Sequence, residues 1–375
     1  MLTALDDSLM HQSAEVFAHT SESDHRFFDR TVFGVQSPDG ELDLVTSFGV
    51  YKNSNVMDGF AMLQSHSNRQ FNHRYSRRLD LNYEEVALGP LQLDIVEPLK
   101  RARIQLKPGN YAASYDIEWN SVLPAHLEKR HYLRHGGRIV RDHLRFSQFA
   151  TATGWIEIEG KRSNFKDWFS WRDHSWGVRP GVGGFEPFSG GLESDKGYLG
   201  IYIWWMTDDA GALFQMQEDG DGNRMYLDGN ITSRVGKPTL LIVDAKHDFS
   251  FYPGTRRFKT GTLEVKTAEG ETHVVEMQSV GRPWAYKGSG YDHGYNDEKG
   301  LGFFRGDWLE EYDSYDLSHV EDVVLPGGKI IRPVHREQFS RVTVNGKPGF
   351  AHTPVISNGP NKRYGFTGAA EVSPG

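Results

Sequence analysis

The chain has 375 residues and no cysteine. That removes disulfides, thiolate nucleophiles and thiolate metal sites together. No run of about 18 apolar residues occurs, so no helix of this sequence is expected to span a membrane. Met1 to His25 lack the basic start and apolar stretch of a secretory signal, and a cytoplasmic location is the expectation. Positive charge is short as well. A net charge of −8 leaves no general basic face, and no nucleic-acid or anionic-lipid partner is expected. Gly-x-Ser-x-Gly is missing, as are the phosphate-cradling Gly-x-x-x-x-Gly-Lys and a Gly-x-Gly-x-x-Gly opening a helix. Hydrolase triads, P-loop nucleotide binding and Rossmann redox chemistry therefore have no support. His126, His131, His135 and His143 match neither His-Glu-x-x-His nor a facial triad. Asp219 to Asn223 imitates the start of a calcium loop, but Arg224 stands where that loop needs glycine and Asn230 where it needs glutamate. It reads as a hairpin turn, and neither a metal nor another cofactor is expected.

Helical periodicity is confined to a short amphipathic segment, Leu2 to Ala18, and period-two alternation dominates the rest. His135-Gly136-Gly137, Glu159-Gly160-Lys161, Ala268-Glu269-Gly270 and Asn345-Gly346 separate alternating runs, which is the pattern of antiparallel hairpins curled into barrels or sandwiches. Leu199 to Met206 is apolar on both faces, with Tyr202 and Trp204 opposite Ile203 and Trp205, and is expected between two layers. The length favours two domains. The Gly-rich stretch Pro180 to Gly184 suggests a junction, giving an N-terminal domain 1–175 and a C-terminal domain 176–375. The tail from Asn358 onward is expected to fray.

Trp171-Arg172-Asp173-His174-Ser175-Trp176-Gly177-Val178-Arg179 gathers an acid, an imidazole, two guanidinium groups and two indoles into nine residues. In an extended strand Asp173, Ser175 and Arg179 face one way, and Arg172, His174 and Trp176 the other. A buried acid keeps its proton toward neutral pH, which suits acid–base chemistry, although a buried Asp–Arg clamp between two halves of the fold would use the same residues. In Tyr115 to Asn120 the residues Asp116, Glu118 and Asn120 share a face. If that face is a lumen, Glu118 is a second candidate base. Arg141, His143, Arg145 and Ser147 form a polar face that could pair with this acidic row as a charge ladder. Gly288 to Tyr295 has the composition of a loop covering a pocket mouth.

Asp142 to Phe149, Gly154 to Gly160 and Trp171 to Arg179, in that order, resemble the signature of the bacterial family related to hydroxyneurosporene synthase, the carotenoid 1,2-hydratases, and of AttH-like lipocalin-fold proteins. The resemblance implies an all-β chain of two lipocalin-like antiparallel β-barrels packed together, each too wide to fill with its own side chains. It also implies hydration, isomerisation or lyase chemistry on a hydrophobic terpenoid or aromatic molecule without a cofactor. Asp173 and His174 would then handle the proton, Arg179 and Arg172 would orient the acid or the substrate, and Trp171, Trp176, Tyr202 and Trp204 would shape the cavity. The alternative is a non-catalytic carrier of the same kind of ligand. A homodimer is compatible with the sequence.

Overall fold

The computed structural model describes residues 2–7, 9–11, 13–65, 67–80, 85–135, 137–184, 196–285, 288–291, 295, 297, 299–324, 328, 330–331 and 337–368. Within them the chain is β throughout, and helix is limited to the single 3-10 turns Ala4–Asp7 and Lys52–Ser54. The amphipathic N-terminal segment does not wind further. The Asp6 carboxylate accepts the backbone N–H groups of Thr3 and Phe17, which draws the segment into a loop.

The strands form two large antiparallel sheets. In the first, Arg69–Arg78, Val56–Ser65, Asp43–Tyr51 and Phe27–Gln36 follow in order. Next comes the long hairpin Lys161–Val178 with Arg138–Ile158, and then Ala113–Ser121, Arg101–Leu106, Leu91–Glu97 and Ala87–Leu88. This sheet curls as an open half-barrel around Phe33, Phe71, Tyr115, Ile117 and Trp119. In the second, eight strands close on themselves: Tyr198–Thr207, Ala210–Asp219, Arg224–Ser233, Leu240–Phe251, Phe258–Thr267, Thr272–Val280, Phe339–Val344 and Lys347–His352, the last returning to the first. Alternation explains each wall. In Phe258–Thr267, for example, Leu263 and Val265 point into the barrel while Thr262, Glu264 and Lys266 point to water. The architecture is thus two lipocalin-like antiparallel barrels, one closed and one curled.

Several departures from the sequence reading matter. Trp308–Asp316, from the second half, pairs with Arg69–Arg78 and forms an edge of the first sheet, held there by the fork of Arg74 on Glu311 and its bond to Asp313. Lys161–Val178 also runs straight through residue 175, so the sheets do not divide at 175/176. Among the described residues Leu199, Ile201, Trp205, Phe214 and Leu263 pack the inside of the closed barrel. Finally, the tail is tied down as far as Phe366, with Val355–Asn358 paired to Tyr198–Thr207 and the rings of Tyr364 and Phe366 each 5.1 Å from Phe251.

Between the barrels lies a third core of Val32, Phe60, Phe149, Phe169, Trp171, Trp204, Leu213, Trp284 and Phe339. Each large side chain buried there contributes about 1.5–3 kcal/mol relative to exposure, enough to hold the barrels as one body. Trp171 fits because Gly34 is its cross-strand partner. A Cβ at Gly34 would stand 2.2 Å from the indole.

Candidate active site

The strand Lys161–Val178 belongs to the first barrel but turns one face to the second. Alternation sends Phe169, Trp171, Asp173 and Ser175 to that face, where Tyr202, Trp204 and Met206 approach from the outside of the strand Tyr198–Thr207. Where the two faces part, they enclose a cavity of about 100 Å³. Its ring walls are Trp171, Trp204, Tyr202 and Tyr291, and its charged or titratable groups are Arg30, Arg145, Arg179, His143, His352, Asp173 and Glu337. The cavity therefore sits between the barrels and is polar, whereas the sequence pointed to an apolar hollow inside one of them.

Asp173 is partly exposed, and that exposure is to the cavity, which it lines. Its carboxyl group has no hydrogen-bond or ion-pair partner among the described residues. Burial pushes its pKa from 3.8 up to about 6; the positive charges of Arg145 and Arg179 oppose the rise, and Glu128 and Glu337 add to it. Arg145 is anchored through its Nε and Nη2. It forks onto Glu128 at 2.9 and 2.8 Å, donates to Gln215 at 2.5 Å, and lies over the rings of Tyr202 and Trp204. Burial alone would raise the Glu128 pKa, but the charge of Arg145 and the hydrogen bonds from His131 and Arg145 hold it down at about 2. His131 sits 3.1 Å from that carboxylate and stacks on His143, ring centroids 4.7 Å apart. Burial, reinforced by His131 and three nearby arginines, keeps His143 well below the usual imidazole range, hence neutral. On the other wall His352 stacks on Trp171 at 3.9 Å and lies 2.6 Å from Glu337. One uncommitted acid thus faces a small chamber whose other charges are held in place, an arrangement suited to moving a proton.

Of the residues singled out in the sequence, Asp173, Arg179, Trp171, Tyr202 and Trp204 meet at this cavity. Arg172, His174, Trp176 and Glu118 do not. Arg172 points into the half-barrel, where it donates to Gln148 and lies 4.6 Å over Trp119, and burial lowers its pKa to about 10. His174 faces away from Asp173, pairs with Asp29 at 2.6 Å and is one-third exposed. Trp176 contacts His174 and Phe146 on that side. Adjacent residues of a strand face opposite ways, so an Asp173–His174 couple cannot form. Glu118 is exposed on the outer surface. The acidic row there meets Arg103 rather than the Arg141 to Ser147 face, because Ala113–Ser121 pairs with residues 150–158. Arg30, Arg145, His143, Glu337 and His352 were missed as site residues, since no local spacing links them. The one available signal was a charged residue at an inward strand position, as with Arg30 in Phe27–Gln36. Of the loop Gly288 to Tyr295 expected over a pocket mouth, Tyr291 lines the cavity; Asp292, His293 and Gly294 lie outside the described residues.

On the far side of Trp171 and Trp204 the barrels leave a second, open groove of about 880 Å³, lined by Trp168, Phe169, Met206, Phe339 and Phe350.

Comparison with known proteins places this architecture. An AttH-like protein from Nitrosomonas europaea superposes with a TM-score of 0.53 over 90% of this chain and 94% of its own, at 14% identity. Kievitone hydratase from Nectria haematococca gives 0.41 over 88% of each chain at 10% identity. CghA gives 0.45 over 88% of each chain at 8% identity. At 14% identity the likeness to the AttH-like protein is one of fold. No curated protein matches the sequence. The model of a family of unknown function (DUF8625) matches residues 2–367.

Proposed function

This chain belongs to a family of unknown function (DUF8625), so its chemistry has to come from its own cavity, and we propose that it is a general acid–base enzyme, a lyase or isomerase, working between its two barrels. The observation that carries the reading is Asp173: an unpaired carboxyl group, titrating near pH 6, on the wall of a chamber shared with three guanidinium groups. Those cations disfavour a carbocation and favour negative charge developing on oxygen. The chemistry that fits is proton transfer next to a carbonyl. Asp173 carboxylate takes the α-proton, the electron pair moves onto the carbonyl oxygen, and the Asp173 carboxylic acid then returns its proton. Returned to carbon, the proton completes an isomerisation. Given to a β-hydroxyl leaving as water, it completes a dehydration, whose reverse is hydration. The indoles of Trp171 and Trp204 shape the chamber and exclude water. Neither metal nor cofactor is called on in this scheme.

The test is exchange in heavy water. Incubated with a panel of α,β-unsaturated and β-hydroxy ketones, the protein should incorporate deuterium at the α-carbon, read by mass spectrometry, and the folded Asp173→Asn variant should not. Equal exchange by the variant would end the role of Asp173. A second reading, a non-catalytic carrier, is favoured by the open apolar groove beside Trp168 and Phe350. Recovery of bound apolar compounds unchanged, without exchange of any panel member, would select it.

A further inference from the structure

Several buried polar atoms that lack a hydrogen-bond partner line the inter-barrel cavity. Arg30 Nε and Nη2, Trp171 Nε1 and His143 Nδ1 are buried without a hydrogen-bond partner, and all three side chains line this one chamber. Leaving such groups unmet is costly. A ligand rich in acceptors would meet them.

Arg30 narrows the chemistry. It stands opposite Ser175 of the long hairpin and is 2% exposed. Its Nη1 donates to the Tyr51 hydroxyl at 2.8 Å and to Asp58 at 3.4 Å. Asp58 is already taken up, accepting the Tyr51 hydroxyl at 3.0 Å and the Gly302 N–H at 2.7 Å. The rings of Phe60 and Tyr291, 5.4 and 5.1 Å from the guanidinium carbon, limit its freedom to turn away. The two nitrogens left over, Nε and Nη2, form the edge of the fork that matches a carboxylate in bidentate contact. Elsewhere in this protein that same edge grips carboxylates: Arg145 holds Glu128, Arg103 holds Asp116, and Arg130 holds Asp142. At Arg30 no described carboxylate fills it. Glu337 of the same cavity is engaged by His352.

We infer that the molecule this cavity takes carries a carboxylate, and that Arg30 binds it and sets that specificity. The inference rests on the cavity being the substrate site, but not on turnover.

Its test is a fluorescence titration, read through Trp171 and Trp204 in the cavity wall. Crotonate should bind the wild-type protein about tenfold or more tightly than crotonamide, the scale of one charge-assisted contact. Arg30→Lys, which keeps the charge but loses the fork, should lose about as much crotonate affinity, whereas Arg103→Lys on the outer face should lose none. Because Arg30 is buried, the crotonate–crotonamide comparison in wild type stands even if the variant fails to fold. Equal affinity for the two probes overturns the inference. So does crotonate affinity retained in folded Arg30→Lys, or inorganic phosphate binding more tightly than crotonate. Carboxylate-selective binding without exchange of any panel compound leaves this inference standing and refutes the acid–base reading. Exchange of uncharged ketones without carboxylate selectivity does the reverse.

Discussion

Replacing Asp173 with Asn should make the protein more stable at neutral pH while abolishing proton transfer. The folded state raises the Asp173 pKa from 3.8 to about 6. Below about pH 4 the group is protonated in folded and unfolded chains alike and contributes nothing. As pH rises toward 6 the unfolded chain ionises it freely, but the folded chain resists, so stability is lost across that window and stays lost above it. At pH 7.5 the displacement corresponds to about 3 kcal/mol at most. Asn occupies the same volume and never ionises. Urea unfolding of wild type and variant, followed by circular dichroism, should therefore show nearly equal stability at pH 3.5 and a variant more stable by up to about 3 kcal/mol at pH 7.5. The groups facing Asp173, namely Arg145, Arg179, His143, His352, Glu128 and Glu337, are common to both proteins and largely cancel. A structural clamp predicts the opposite sign. An Asn variant less stable than wild type at pH 7.5, with the gap closing in acid, would mean that Asp173 is an ion-pair partner, and both the pKa argument and the proposed chemistry would fall.

Four further substitutions separate the site from its surroundings. Arg145→Met strands the buried Glu128 carboxylate and should cost about 3–5 kcal/mol in urea unfolding at pH 7.5; a loss below 1 kcal/mol would show that the fork is unimportant. His174→Ala and Glu118→Gln, at partly exposed and exposed positions away from the cavity, should each change stability by less than about 1 kcal/mol. Both should leave deuterium exchange intact, and a loss of exchange in either would relocate the site. Gly34→Ala drives a methyl group into the Trp171 indole and should destabilise by about 1–3 kcal/mol while shifting tryptophan emission. An unchanged spectrum would mean that the indole does not lie over Gly34.

The parts of this molecule that were legible in the sequence are those governed by local period. The turns at Glu159-Gly160, Ala268 to Gly270 and Asn345-Gly346 fall where the hairpins close. Alternation in Leu199 to Met206 put Ile203 and Trp205 into a core and Tyr202 and Trp204 against the other layer, as the structure has them. The same rule separated Asp173, Ser175 and Arg179 from Arg172, His174 and Trp176. It also forbade the Asp173–His174 couple, an implication that the density of chemistry in that stretch obscured. Arg30, Arg145, Glu337 and His352 stayed hidden because they meet only after the barrels pack, and packing between layers leaves no period in the chain. The location of the cavity was hidden for the same reason: whether a barrel is filled depends on volumes summed over eight strands.

The edge strand Trp308–Asp316 has a consequence for synthesis. Its partner, Arg69–Arg78, leaves the ribosome roughly 230 residues earlier, which at typical translation speeds is on the order of 10–50 s. Through that interval a nascent chain carries a sheet margin with nothing bonded to it, the kind of surface that recruits neighbouring polypeptides. Arg69, Arg74, Arg77 and Arg78 line that margin, and their mutual repulsion guards it until Asp307, Glu311 and Asp313 emerge to pair with Arg78 and Arg74.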